Sequence, residues 1–410
     1  MRFFRSCVLF VAATGSLTVG GSLALSGAAP VGASPAGITV NCPADNLQDA
    51  IYSAPAGSTL LVSGTCTGNS FGNFYINKDL TLTGPAILDG SAYPTTTLNV
   101  AAGNVVLNNL VIQDGVGISN IGGGIWNSGQ LTLNHSTVTH NTTGEAGGVF
   151  NVGQLTLNNS SVSDNTATNG TGGIFNCGGN PGFEHYGLCT GAPSLILNNS
   201  TVSNNVGGSG GDGGGIDNDL QAALTLNNST VSGNSTAGSG NGGGIENQGT
   251  ATLRFSNVSG NVGGAGGGIN NNGTATISTS ILSNNSSIGG SACLCGGGGL
   301  SNGLSNTGTT TINYSIIRAN NSVFVGGGIF AGGGPMNINN SIVTGNSAAA
   351  TGGGMIVWDG PTTVANSVFS HNSDQGTPIA DTLPGVLVAP TDYLGLGNNP
   401  TFTTTHSTYH

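Results

Sequence analysis

The chain has 410 residues, of which 75 are glycine, 36% are hydrophobic and only 5% are charged. The glycines cluster as pairs and triplets, which excludes a collagen with its one glycine in three, and the recurrent Ile, Leu and Val argue against a disordered tail. Five Lys plus Arg against sixteen Asp plus Glu, a net charge of −11, is the wrong sign for a phosphate backbone and sets nucleic acid aside as a partner.

Residues 1–33 read as an export signal. Arg2 and Arg5 make a positive start, residues 7–25 are apolar, and Val31-Gly32-Ala33 offers small side chains for cleavage. The mature chain then keeps only Lys78, Arg254 and Arg318 as cations, and no later apolar run is long enough to span a bilayer. An extracellular or cell-surface location is expected, with a monomeric chain. Cysteine use agrees, since six cysteines remain after the Cys7 of the signal. Their nearness in sequence suggests Cys42 with Cys66, closing the first turn of the fold, and Cys177 with Cys189, stapling an inserted loop. Cys293 and Cys295 stand one residue apart, too close for an unstrained bridge and too few for a metal site.

Internal repetition carries the fold. The phrase Gly122-Gly123-Gly124-Ile125-Trp126-Asn127 returns along the chain, its apolar position falling at Ile125, Val149, Ile174, Ile216, Ile245, Ile269, Leu300, Ile329 and Met355. The intervals are 24 to 31 residues, except for one of 42 that contains Cys177 and Cys189 and so reads as a loop inserted into an unchanged core. Between copies runs a second phrase, residues 131–141, with close cousins at 155–165, 195–205 and 224–234. Apolar and polar residues alternate within it, the period of a strand. Three short strands per repeat predict a solenoid of parallel sheets, stacked at about 4.8 Å per coil and roughly ten to twelve coils long. Leu131, Leu133 and Val138 should point inward; Thr132, Thr137 and Thr139 should point out. Two columns of asparagine, beginning at Asn127 and at Asn141, fall at the bends, where a side-chain amide can satisfy backbone groups and stack on its own copies.

These phrases, GG-x-I and V-x-x-N, resemble the repeats of polymorphic outer-membrane proteins. The chain is similar to the right-handed parallel β-helix (pectin-lyase-like) superfamily, an all-β fold. The resemblance covers residues 100–372 and implies secretion and adhesion to a glycan or a cell-surface protein. Residues 42–51 resemble the short helix that caps such rods, which gives a cap segment at 34–57, a β-helix at 58–375 and a C-terminal cap or mobile tail at 376–410. The polygalacturonase phrases of this superfamily are absent, and the lyase pattern lacks its arginine base.

The candidate chemistry lies in the variable position of the GGG-apolar-x-Asn phrase. Trp126, Phe150 and Phe175 form either an outward aromatic strip suited to sugar rings or a set of rings packed under loops. Asp217 and Glu246 follow in the same column. On adjacent coils they make a carboxylate pair of the kind glycosidases use, the alternative being an acidic surface spot. Asp212, Asp217 and Asp219 are candidate ligands for one calcium ion, the only cofactor considered, on a single copy of a calcium-binding nonapeptide phrase. The outward Thr and Ser pairs, from Thr137 and Thr139 onward, resemble the hydroxyl lattice of ice-binding solenoids until Ile281, Ile316, Ile342 and Val368 interrupt it.

Overall fold

A computed structural model describes residues 37–68, 73–117, 122–179, 189–208, 213–238, 240–289, 296–303, 308–374, 386–388 and 401–409. The expected signal, Asp212, Cys293 and Cys295 lie outside the described residues. Described residues wind into a parallel β-helix with three sheets. Sheet 1 stacks strands of the Ile125–Asn127 type, twelve in all. Sheet 2 has two halves that meet at a corner, half 2a of the Gln130–Asn134 type and half 2b of the Thr137–Thr139 type. Sheet 3 stacks two-residue strands of the Thr142–Thr143 type. Every pairing is parallel and, in the repeats, residue-for-residue: Leu131 lies beside Leu155, Leu155 beside Leu195, and Leu195 beside Leu224.

Alternation explains the core. Leu131, Leu133 and Val138 are buried as expected; the columns of Leu133 and Val138 stay apolar to Val364 and Phe369, while that of Leu131 takes in buried Thr310 and Thr362. Burying one such side chain fully is worth about 1.5–3 kcal/mol before conformational entropy. Thr132 and Thr137 are half-exposed, whereas Thr139 is almost covered. The helix occupies Leu47–Ser53, starting later than the resemblance implied, and a strand, Ile38–Asn41, precedes it. Asn46 caps its N-terminus by accepting from the Asp49 amide. Buried Gln48 donates to the Tyr75 carbonyl at 3.1 Å and accepts the Tyr75 amide at 2.7 Å, so a side chain stands in for the missing neighbour strand. Both expected disulfides, Cys42–Cys66 and Cys177–Cys189, are formed.

Three polar ladders run inside the corners. The Asn127 amide donates to Asn151 Oδ1 at 2.7 Å, and the relay continues through Asn176, Asn218, Asn247, Asn271 and Asn302. A second relay runs from Asn141 through Asn165, Asn205, Asn234, Asn261, Asn285, Asn320, Asn346 and Asn372 at 2.9–3.0 Å. In it each side-chain oxygen also accepts the backbone amide of the preceding rung, as Asn165 does from Asn141 at 3.0 Å. The third is a serine ladder that the repeat phrases did not announce: Ser160 Oγ accepts the Ser136 amide at 3.1 Å, and Ser200, Ser229 and Ser256 repeat the contact.

The last glycine of each GGG phrase exists because of the second relay. A Cβ on Gly244 would lie 2.6 Å from the Gly268 carbonyl oxygen and 2.9 Å from Asn261 Nδ2. The tail also departs from expectation: Val386–Val388, Thr401–Thr405 and Thr408–Tyr409 pair onto the preceding rung, so they extend the helix by one coil. Gly244→Ala is expected to cost about 1–3 kcal/mol and lower the urea midpoint. Gly345→Asn should leave the midpoint unchanged, because Gly345 has φ +62° with open space around its Cβ position, and Asn204 and Asn284 adopt that conformation at equivalent corners.

Candidate functional site

In sheet 1 the flanking residues of each three-residue strand, Ile and Asn, face the core, which leaves the middle residue facing outward. Outward does not mean exposed here. Phe150, Phe175, Asp217, Glu246, Asn270, Ser301, Phe330 and Ile356 are all buried, while Trp126 and Asn99 before it are half-buried and Tyr75, on the first strand, is exposed. The column is a second, outer core with three sections. At one end Trp126, Phe150 and Phe175 meet edge to face, with centroids 6.3 and 5.5 Å apart, and pack with Ala146, Val152 and the Cys177–Cys189 disulfide. At the other, Phe330 and Ile356 pack with Ala265, Phe324, Val325 and Trp358. The expected aromatic strip is therefore corrected to the packed alternative. Cys189 packs on it through its disulfide to Cys177, and burying large rings outweighs leaving them in water.

Between the apolar sections lie the acidic candidates. Asp217 and Glu246 are direct register partners on adjacent strands, as the repeat spacing predicted. Neither sits on the surface: Asp217 is 6% and Glu246 1% exposed. The Glu246 carboxylate is bound on both oxygens. Asn270, its register neighbour on the next rung, donates to Oε1 at 3.1 Å and Oε2 at 2.8 Å, and Asn272 donates to Oε1 at 2.9 Å. These amide donors hold the carboxylate in place, and the Asn270-Asn271-Asn272 run was the signal for them in the sequence.

Asp219 is buried at the end of the same strand, where its Oδ1 accepts the Leu220 amide at 2.7 Å. Asp212, the third expected calcium ligand, lies outside the described residues. Among the described residues no three His, Cys, Asp or Glu side chains gather as a metal site.

The open surface of the rod lies elsewhere, on sheet 2. On half 2a, Thr132, Thr156, Ile196, Thr225, Thr252, Thr276 and Thr311 form one half-exposed column, each registered with the next. Beside it, carboxamides from Asn108 to Asn227 relay at 2.8–2.9 Å until Arg254 replaces the next asparagine. Half 2b carries hydroxyls from Thr137 to Thr230 and turns aliphatic at Ile281, Ile316 and Ile342, so the hydroxyl lattice ends there.

Glu246→Ala is expected to destabilise the rod by about 1–3 kcal/mol, read from the denaturant midpoint, because it strands the Asn270 and Asn272 amides without their acceptor. Glu246→Gln, which keeps an oxygen in that place, should cost less.

No family model matches the chain, and no curated protein does. One solved structure, described as the crystal structure of pectate lyase Pel9A, is similar at 16% identity over 85% of this chain and 77% of that one, with a TM-score of 0.35.

Proposed function

We propose that this chain acts outside the cytoplasm as a β-helical rod that binds a glycan through the flat face of half 2a, without catalysis. One contrast carries the reading. The carboxylates that chemistry would need are enclosed, and Glu246 is fastened on both oxygens, while the half-exposed face of half 2a is a regular array of hydroxyls and carboxamides. A glycosidase must admit a sugar between its two carboxyl groups, and an inverting one a water as well. A binding face needs only donors and acceptors at a constant pitch. Rungs repeat every 4.8 Å or so and outward residues along a strand every 6.6 Å or so, which presents a polymer with many equal hydrogen-bonding positions. Each contact is weak alone, and their number supplies affinity. Low charge on this face suits a neutral polysaccharide better than a polyanion, since Arg254 is its one cation among the described repeats.

The hydrolase reading retains one favourable observation, the register pairing of Asp217 with Glu246. A polysaccharide panel on the purified chain separates the two. Binding should fall at least about tenfold when Thr252→Glu and Thr276→Glu are combined, a loss of about 1.4 kcal/mol or more, and it should survive Asp217→Asn and Glu246→Gln. Release of reducing sugar by the wild type that disappears in those two variants would overturn the proposal in favour of the enzyme. Retention of a protein ligand alone would overturn the glycan assignment.

A further inference from the structure

The outward face of half 2b has nearly the same pattern read in either direction along the rod. Its central column, after Thr65, is aliphatic toward one end at Ile87 and Val111, carries hydroxyls in the middle, with Thr201 and Thr230, and is aliphatic again from Ile281 through Ile316 and Ile342. Charges are placed to match. Gln113, one residue along the strand from Ile112, donates to Asp114 at 2.8 Å and to Asp89 at 3.5 Å, making an acidic spot near the N-terminal end. Arg318, in the same column as Asp89 and Gln113, stands exposed near the C-terminal end.

The corner between the halves matches as well. At the N-terminal end it is hollowed into an open groove of about 430 Å³ bounded by Pro85, Ile87, Asn109, Val111 and His135. At the C-terminal end it carries Tyr314, 67% exposed, in the left-handed conformation with φ 50°. Asparagine fills the same corner at Asn159, Asn199, Asn228 and Asn340. A tyrosine is a costly choice for that conformation and leaves its ring in water. Both costs are offset if something covers the ring.

We propose that a second copy of this chain covers this face, running antiparallel to the first about a two-fold axis parallel to the strands. That rotation lays each column on itself and reverses the order of rungs. With Thr201 opposite Thr230 at the axis, Ile316 meets Val111 and Ile342 meets Ile87. Arg318 reaches the Asp89–Asp114 spot, and Tyr314 enters the groove beside Asn109. Each contact occurs twice, as an isologous interface requires. A two-fold axis along the rod would instead bring each rung against itself, leaving Arg318 far from the acidic spot and the groove unfilled. Corners on both sides of half 2b are two residues long in the Gln130-to-Thr143 repeat and its cousins, so no loop overhangs the face. About ten rungs at 4.8 Å by about five residues at 3.3 Å give about 800 Å² per copy, the size of a standard stable interface. Tyr and Arg are the side chains that most often carry such interfaces.

Sedimentation velocity on the full chain across a concentration series tests this. The wild type should pass from monomer to dimer as concentration rises. Arg318→Glu and Asp89→Arg should each weaken the dimer at least about tenfold, and the two combined should recover it, because the charges then meet in exchanged places. Tyr314→Ala should weaken it by a similar factor while leaving the thermal midpoint of the monomer unchanged. A chain that stays monomeric throughout, a dimer indifferent to Arg318→Glu and Tyr314→Ala, or a double exchange that fails to recover association would each overturn the proposal. None of these outcomes touches glycan binding, which concerns the other half of sheet 2.

Discussion

Everything in this rod depends on satisfying the backbone where the chain turns. A strand in the middle of a parallel sheet finds partners on both sides, but a residue at a buried corner has no such guarantee, and an unpaired amide there costs a large part of what a core aliphatic contributes. The solution is to let the side chain of one rung complete the backbone of its neighbour. Asn165 Oδ1 takes both the backbone amide and the side-chain amide of Asn141, and the Asn165 amide reaches back to the Val138 carbonyl. Because the donor and acceptor come from successive rungs, the ladder works only if coils are in register. Spacing of the repeats, the tight corners and the close glycines all follow from that requirement.

The glycines show how strictly the ladder rules its surroundings. Gly124, Gly148, Gly215 and Gly244 lie against the asparagine amide of their own rung, so the two repeat phrases are parts of one contact and not two independent motifs. In an array whose rungs touch only their neighbours, the residues outside such contacts are free to vary. That is why the middle position of sheet 1 can carry phenylalanine, carboxylate, asparagine or serine without altering the winding. The same freedom explains the carboxylates: Asp217 and Glu246 occupy a column whose neighbours supply either rings or amides, and Glu246 is matched to amides.

Winding, register and the inward leucines were legible in the sequence because they follow from periodicity alone. Asp217 and Glu246 could be placed on adjacent rungs by counting. Their burial could not, since alternation tells which side of a sheet a residue takes and says nothing about what lies on that side. The same gap separates the outward aromatic strip from the buried Trp126, Phe150 and Phe175. The serine ladder escaped notice for a different reason: a small polar residue before an exposed strand looks like ordinary turn chemistry, and only the repeated amide contact gives it a role. Asn320 was hidden because its phrase, Ile317-Arg318-Ala319-Asn320, replaces the valine and the usual corner residue together. Beyond Asn372 the strands are separated by prolines and a long interval, so the final coil left no periodic trace.

What distinguishes the two faces of this molecule is where loops can attach. The connections into and out of sheet 1 vary in length, and described residues of both, Ala146, Ala265 and Val325 before its strands and Val152, Cys189 and Trp358 after them, pack on the outer column and make it a core. Between the halves of sheet 2 the connection is two residues long, fixed by a left-handed residue and a ladder serine, and it admits no insertion without breaking the serine contact. Sheet 2 therefore stays flat and open along the rod while sheet 1 is covered. A protein built this way can elaborate one side without exposing new apolar surface and still keep a regular surface on the other. Departures from regularity on that second side, Arg254, Phe255, Tyr314 and Arg318, consequently stand out against a background of Thr, Ser and Asn. They lie on two rungs with one rung between, and two of them are aromatic residues held in a conformation that favours asparagine. Asparagine is the commonest residue at this corner, with polar exceptions such as His135 and Thr279, so the aromatic pair is a property of the surface and not of the core.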